Sequence, residues 1–139
     1  MLDSYQSLLG RPLVDRQGSD LVVAERLYRA AFVVVAHGTG PDPVLSYGNA
    51  VALALWEMHA DAFTRTPSRL TAEPADRDER ARLLDRTLRD GFVDDYSGVR
   101  ISRTGRRFHI ERAIIWNLSD ATGAHVGQAA TFDQWTPLG

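Results

Sequence analysis

The chain has 139 residues, 44% of them hydrophobic and 24% charged, with a net charge of −2 and no cysteine. That length suits one domain, and the composition is that of an ordinary globular chain rather than a disordered one. Without cysteine there is no disulfide, thiolate nucleophile, zinc ribbon, iron–sulfur ligation or flavin photocycle running through a cysteinyl adduct.

Asp3 is placed to cap a first short helix, with Gln6 completing a capping box, and Gly10 with Pro12 closes it. Gly18-Ser19-Asp20 precedes a second helix over Leu21–Ala30, whose apolar face is Leu21, Ala24, Leu27, Tyr28 and Ala31. Phe32–Ala36 is β-branched and too short for a helix, so it reads as a buried strand. His37–Pro43 is turn chemistry, and Val44–Tyr47 returns antiparallel. Asn49 stands where its side-chain oxygen caps a helix over Ala50–Trp56, and another short helix covers Ala60–Thr64. Pro74 starts the next helix. Along it Asp76/Arg80, Asp78/Arg82 and Asp85/Arg89 form i,i+4 pairs worth ~0.2–0.5 kcal/mol each. Ala81, Leu84 and Leu88 face inward, and Gly91 ends the helix. Phe92–Ser102 and Arg107–Leu118 make a hairpin about Gly105, and after the Ser119–Gly123 turn the last strand is His125–Phe132.

This order predicts an α+β domain: a five-stranded antiparallel sheet with helices on one face, plus the N-terminal helices, and a cavity between helices and sheet. No apolar run approaches the ~20 residues of a membrane span, and the acidic start is unlike a signal peptide, so a cytoplasmic location is expected. The near-neutral balance and lack of a basic stripe argue against nucleic acid and anionic membrane as partners. All sixteen basic residues are arginine, which removes lysine Schiff bases and a phosphate-loop lysine.

Tyr47-Gly48-Asn49, Gly105-Arg106-Arg107-Phe108 and Asp120-x-x-Gly123, set in this element order, resemble a PAS domain. Further strings make the chain similar to the MEKHLA domain family, which is PAS-like: His37-Gly38-Thr39, Asp42-Pro43, Leu55-Trp56-Glu57, Pro67-Ser68-Arg69, Asp95-Tyr96, Val99-Arg100-Ile101, Trp116-Asn117-Leu118 and Gly127-Gln128-Ala129-Ala130. The Met-Glu-Lys-His-Leu-Ala string of the plant members is missing, so the likeness is to the bacterial, freestanding type. The resemblance divides the chain into an N-terminal helical extension (1–31), the PAS-like domain (32–135) and a tail (136–139). It implies a sensory or interaction domain that holds haem, flavin or a small metabolite in the helix–sheet cavity, or holds nothing and mediates dimerisation. Output then passes through a homodimer made by the N-terminal helices or through a separate output protein.

Cavity candidates are Trp56, Phe63, Tyr96, Ile114, Trp116, Gln128 and Phe132, with Gln128 supplying a polar contact that orients a ligand. Tyr47, Trp116 and Asn117 suit structural roles equally well. Arg69 reads as a rigid-loop residue paired with Glu73, or as an anion clamp over one end of the cavity. The Arg100, Arg106, Arg107 and Arg112 cluster reads first as cross-strand ion pairing on an exposed face. Strand parity with Phe108, Ile110, Ile114, Trp116 and Leu118 favours Arg112 as an inward arginine for a carboxylate or phosphate. The unbroken Ala113–Trp116 run points instead to a bulge that reverses the parity, and the register decides whether Glu111 or Arg112 faces inward.

Of the four histidines only His59 suits a helical haem ligand, and no spacing supports a metal site. No nucleophile motif is present. The proposed ligand is a small anionic or amphipathic metabolite. The rival readings are a small cone-shaped isomerase- or hydratase-like enzyme with a buried carboxylate, Glu111 or Asp95, and a ligand-free interaction module.

Overall fold

The computed structural model describes residues 1–139, the side chain of Ala75 excepted. Five strands lie antiparallel in the order β2-β1-β5-β4-β3. They are β1 (Val33–His37), β2 (Leu45–Gly48), β3 (Phe92–Ile101), β4 (Arg107–Ser119) and β5 (His125–Phe132). The α+β expectation and its antiparallel sheet are borne out, with one addition. Gln134–Leu138 forms β6, which pairs with Arg107–Glu111 of β4. Most of the expected tail is therefore strand. Its polar residues and Pro137 gave no strand signal, and proline is tolerated there because β6 is an edge.

Helices cover both faces. Over the inner face lie α3 (Ala50–Trp56), α4 (Ala60–Phe63), 3₁₀ turns at Ser68–Thr71 and Pro74–Asp76, and α5 (Arg77–Asp90). Trp56, Phe63, Leu83, Phe108, Ile110 and Phe132 pack there. The outer face is covered by α1 (Leu2–Leu9) and α2 (Asp20–Tyr28). Tyr5 of α1 meets Trp116 edge-on at 4.9 Å, while Val23 and Leu27 of α2 pack near Val34. A sheet buried on both sides explains the continuous Val33-Val34-Val35-Ala36 run.

The caps differ from expectation at one helix. Asn49 caps α3 as predicted, and Ser19 caps α2. Asp3 does not cap α1, which begins one residue before it; instead Asp3 pairs with Arg16 at 2.6 Å. On α2 the buried stripe is Val23 and Leu27, and Leu21 is 81% exposed. On α5 it is Leu83 and Thr87, while Ala81 and Leu88 are exposed. The three expected α5 ion pairs do not form; Arg86 instead approaches Asp90 and Asp95 at 3.8 and 3.9 Å. The sequence pattern hid this face because it carries an arginine, Arg80, and a threonine whose hydroxyl is satisfied by the Leu83 carbonyl at 2.9 Å.

Two compensating bulges decide the sheet's parity. Between Val93↔Ile115 and Tyr96↔Ala113 the extra residue lies on β3, and between Tyr96↔Ala113 and Gly98↔Ile110 it lies on β4. Arg112, at φ 54°, absorbs the second. Phe108 and Ile110 face inward before the bulge and Ala113 and Ile115 after it. Ile114, Trp116 and Leu118 are thereby turned to the outer face. Among the described residues no helix is long and apolar enough to cross a membrane.

Candidate functional site

Small side chains at the centre of a sheet leave space above them. Ala113 and Ala130, on β4 and β5, floor a cavity of about 70 Å³ between the sheet, α5 and the Ser68–Thr71 turn. Trp56, Phe63, Ile110 and Phe132 supply apolar wall, and His37, Ser68, Arg80, Tyr96, Arg100 and Gln128 supply polar groups.

The arginines are unusual. Arg100 is only 7% exposed. It donates to the Val99 carbonyl at 2.8 Å, and its guanidinium carbon lies 5.3 Å from the centre of the Tyr96 ring, a cation–π contact. Arg80 reaches in from α5 and donates to Ser68 Oγ at 2.6 Å. Lost hydration, and then the charge of Arg100, pull its pKa down to about 10. Among the described residues neither guanidinium has a carboxylate within ion-pair distance. None of the residues lining the cavity is acidic.

Buried polar atoms normally find partners. Among the described residues four lack one, and three of these belong to cavity residues: His37 Nε2, Trp56 Nε1 and Tyr96 Oη. The Tyr96 hydroxyl lies near Arg100 and Glu79 without closing a hydrogen bond to either, and burial raises its pKa. Leaving such a group unpaired is costly. Tyr96→Phe is therefore expected to leave stability unchanged or raise it by up to about 1 kcal/mol, measured by urea denaturation.

His37 Nδ1 lies 2.8 Å from the Gly38 carbonyl, so in the neutral ring Nδ1–H donates there and Nε2 is left as an acceptor. Burial lowers the His37 pKa, Arg80 and His125 push the same way, and the Gly38 bond opposes them. A histidine whose folded pKa lies below its unfolded value of about 6.5 binds fewer protons in the native state between the two. Stability should thus rise with pH from the folded pKa up to about 6.5. Urea midpoints across that range should show the rise in the wild type and a smaller one in His37→Gln.

The structure brings together Trp56, Phe63, Tyr96, Gln128 and Phe132 around the cavity. Four other candidates lie elsewhere. Ile114 and Trp116 are turned outward by the β4 bulge, where Trp116 supports α1. Arg112 is the bulge residue itself and is exposed, as is Glu111. Arg69 is exposed and pairs with Asp42 at 3.1 Å rather than with Glu73, which meets Arg107 at 3.5 Å. Gln128 lines the cavity, but its amide N–H groups are committed, one to the Leu84 carbonyl and one to Asn117 Oδ1, both at 3.0 Å.

His59 is exposed at the start of α4, and Asp95 lies on the surface. Among the described residues no group of three acidic, histidine or cysteine side chains could hold a metal ion.

Sequence reasoning passed over Arg80, Ser68 and His37 as site residues and assigned Arg100 to surface pairing. Parity could have found Arg100, since Tyr96, Gly98 and Arg100 alternate on one face of β3. Arg80 precedes Leu83 and Thr87 at helical spacing, but a charged residue in that stripe carries no inward signal.

Comparison with known proteins agrees with this geometry. The MEKHLA domain profile matches residues 1–137. Among solved structures, the PAS domain of a Colwellia psychrerythraea protein superposes with a TM-score of 0.68 at 12% identity, covering 85% of this chain and 95% of that one. A light-oxygen-voltage domain studied with a flavin analogue gives 0.60 at 17% identity over 90% and 89%. An RNA-binding light-oxygen-voltage receptor gives 0.67 at 14% identity, covering 88% of this chain and 35% of the receptor. Likeness at these identities is one of fold. The search among curated proteins finds no match.

Proposed function

The chain belongs to the MEKHLA domain family and has the fold of a PAS-type sensory domain, and on that premise we propose that it reversibly binds a small molecule between α5 and the sheet and signals through a dimer or partner contact. The observation that carries this reading is the cluster of unpaired buried polar atoms around an alanine-floored cavity. A site kept only for packing would be filled, or its donors and acceptors satisfied.

The occupant is small. About 70 Å³ is far below the ~300–1,000 Å³ of pockets that enclose drug-sized ligands. A flavin or haem does not fit that space. The flavin adduct also has no thiol here, and His59 is too exposed to serve haem.

A signalling route follows from the bonds that tie α5 to the sheet. Asn117 Nδ2 donates to the Thr87 carbonyl at 3.0 Å, and Gln128 holds the Leu84 carbonyl. Their strand neighbours Trp116, Leu118 and Ala129 face α1 on the other side. A ligand that repositions α5 would be felt there, provided it binds the two arrangements with different affinity. Leu21 and Val22, the exposed apolar residues of α2, offer the contact surface for a second copy or an output protein.

The test is a thermal-shift screen of a metabolite collection against the full chain and against Ala130→Leu, which narrows the cavity. Compounds that stabilise the wild type and not the variant are expected. Equal shifts in both proteins would return the domain to a ligand-free interaction module. Sedimentation velocity of the wild type and Leu21→Glu tests the contact surface, with dissociation expected in the variant.

A further inference from the structure

We infer that the ligand carries a compact anionic group, a carboxylate or phosphate, seated between the guanidinium groups of Arg80 and Arg100. This rests on the ligand-binding reading above and names the chemistry of the same site. An unpaired cation drawn out of water is among the more costly features a fold can retain, and here the buried Arg100 and the half-buried Arg80 also repel each other. Arginine cannot escape by losing its proton at neutral pH, and Arg80 stays charged even with its pKa near 10.

The nearby acids do not discharge the pair. Asp42 is engaged by Arg69 on the surface, and Glu79 approaches Tyr96 but lies outside ion-pair distance of either guanidinium. Each guanidinium has five N–H donors. One hydrogen bond from each is made within the chain, to Ser68 and to Val99. The remaining donors suit a planar carboxylate or a phosphate, which guanidinium groups bind in bidentate fashion. Tyr96 Oη can add a donor, and His37 Nε2 can accept from a protonated oxyanion or donate once protonated.

The experiment titrates the full chain separately with inorganic phosphate and with succinate, at ionic strength held constant by sodium chloride. It follows the thermal midpoint and the His37 ring signals by NMR. At least one anion is expected to saturate, raise the midpoint and shift the His37 pKa upward. Arg80→Gln and Arg100→Gln should each weaken binding at least tenfold while circular dichroism stays that of the wild type; neither change breaks an ion pair within the chain, so loss of the fold is not expected. The inference is overturned if neither anion acts beyond chloride, or if both variants bind as tightly as the wild type. A neutral compound that stabilises wild type and both arginine variants alike, but not Ala130→Leu, would overturn the anion and leave ligand binding standing.

Discussion

Asn49→Ala is expected to lower stability by roughly 3–5 kcal/mol, among the largest effects of any side-chain truncation in this chain. Asn49 is fully buried, and its amide makes four hydrogen bonds. Its Oδ1 accepts from the Val34 N–H at 3.1 Å and from the Ala52 N–H at 3.2 Å. Its Nδ2 donates to the carbonyls of Phe32 at 2.8 Å and Leu27 at 3.3 Å. One side chain thus caps α3, holds the start of β1 and ties down the end of α2. Truncation orphans donors and acceptors together in a place water cannot reach. For a domain of this size the thermal midpoint should fall by about 10–15 °C. Asn49→Asp separates the two halves of the role. At neutral pH it keeps the acceptors but presents a charge to two carbonyl oxygens, so it should be at least as damaging as alanine. On acidification the protonated carboxyl regains one donor, and the gap to alanine should close in its favour. Urea denaturation of both variants across pH checks this.

Gly127→Ala is the second large effect, expected at roughly 2–4 kcal/mol. A Cβ at Gly127 would lie 2.1 Å from the His37 carbonyl oxygen. That atom is backbone in a paired strand, so relief requires β1 and β5 to separate where His37 meets Gln128. The site moves with it, because His37 lines the cavity. Gly105→Ala is the control. Gly105 also has a positive φ, 91°, but nothing lies within 4 Å of its Cβ position. It should cost only the left-handed strain of about 1–2 kcal/mol and leave the His37 NMR signals in place.

Much of the architecture could be read from residues. Asn49 before an apolar helix, Gly105 in the hairpin and the β-branched Phe32–Ala36 run each act through local backbone chemistry, which needs no distant partner to be recognised. Trp56, Phe63, Tyr96 and Phe132 were legible as interior residues because large apolar side chains leave water, though the same rule could not say which of the two cores Trp116 would join. Gln128 faces the cavity as its strand parity suggests, but the partners of its amide were not legible, since one is a carbonyl on a helix more than forty residues earlier and the other the Asn117 side chain on the neighbouring strand.

The sequence alone determined the element order as far as β5, the antiparallel class of the sheet and the family likeness, since these follow from propensity, turn chemistry and motif order along the chain. The tertiary structure decided which face each residue serves. A bulge at Arg112, a residue with no special preference for positive φ, turned Trp116 outward, and the sheet's covering by α1 and α2 gave it a core to join. The same packing drew Arg80 and Arg100 from different elements to one cavity. Parity and long-range charge pairing are properties of register and docking, and a one-residue bulge is enough to reverse them.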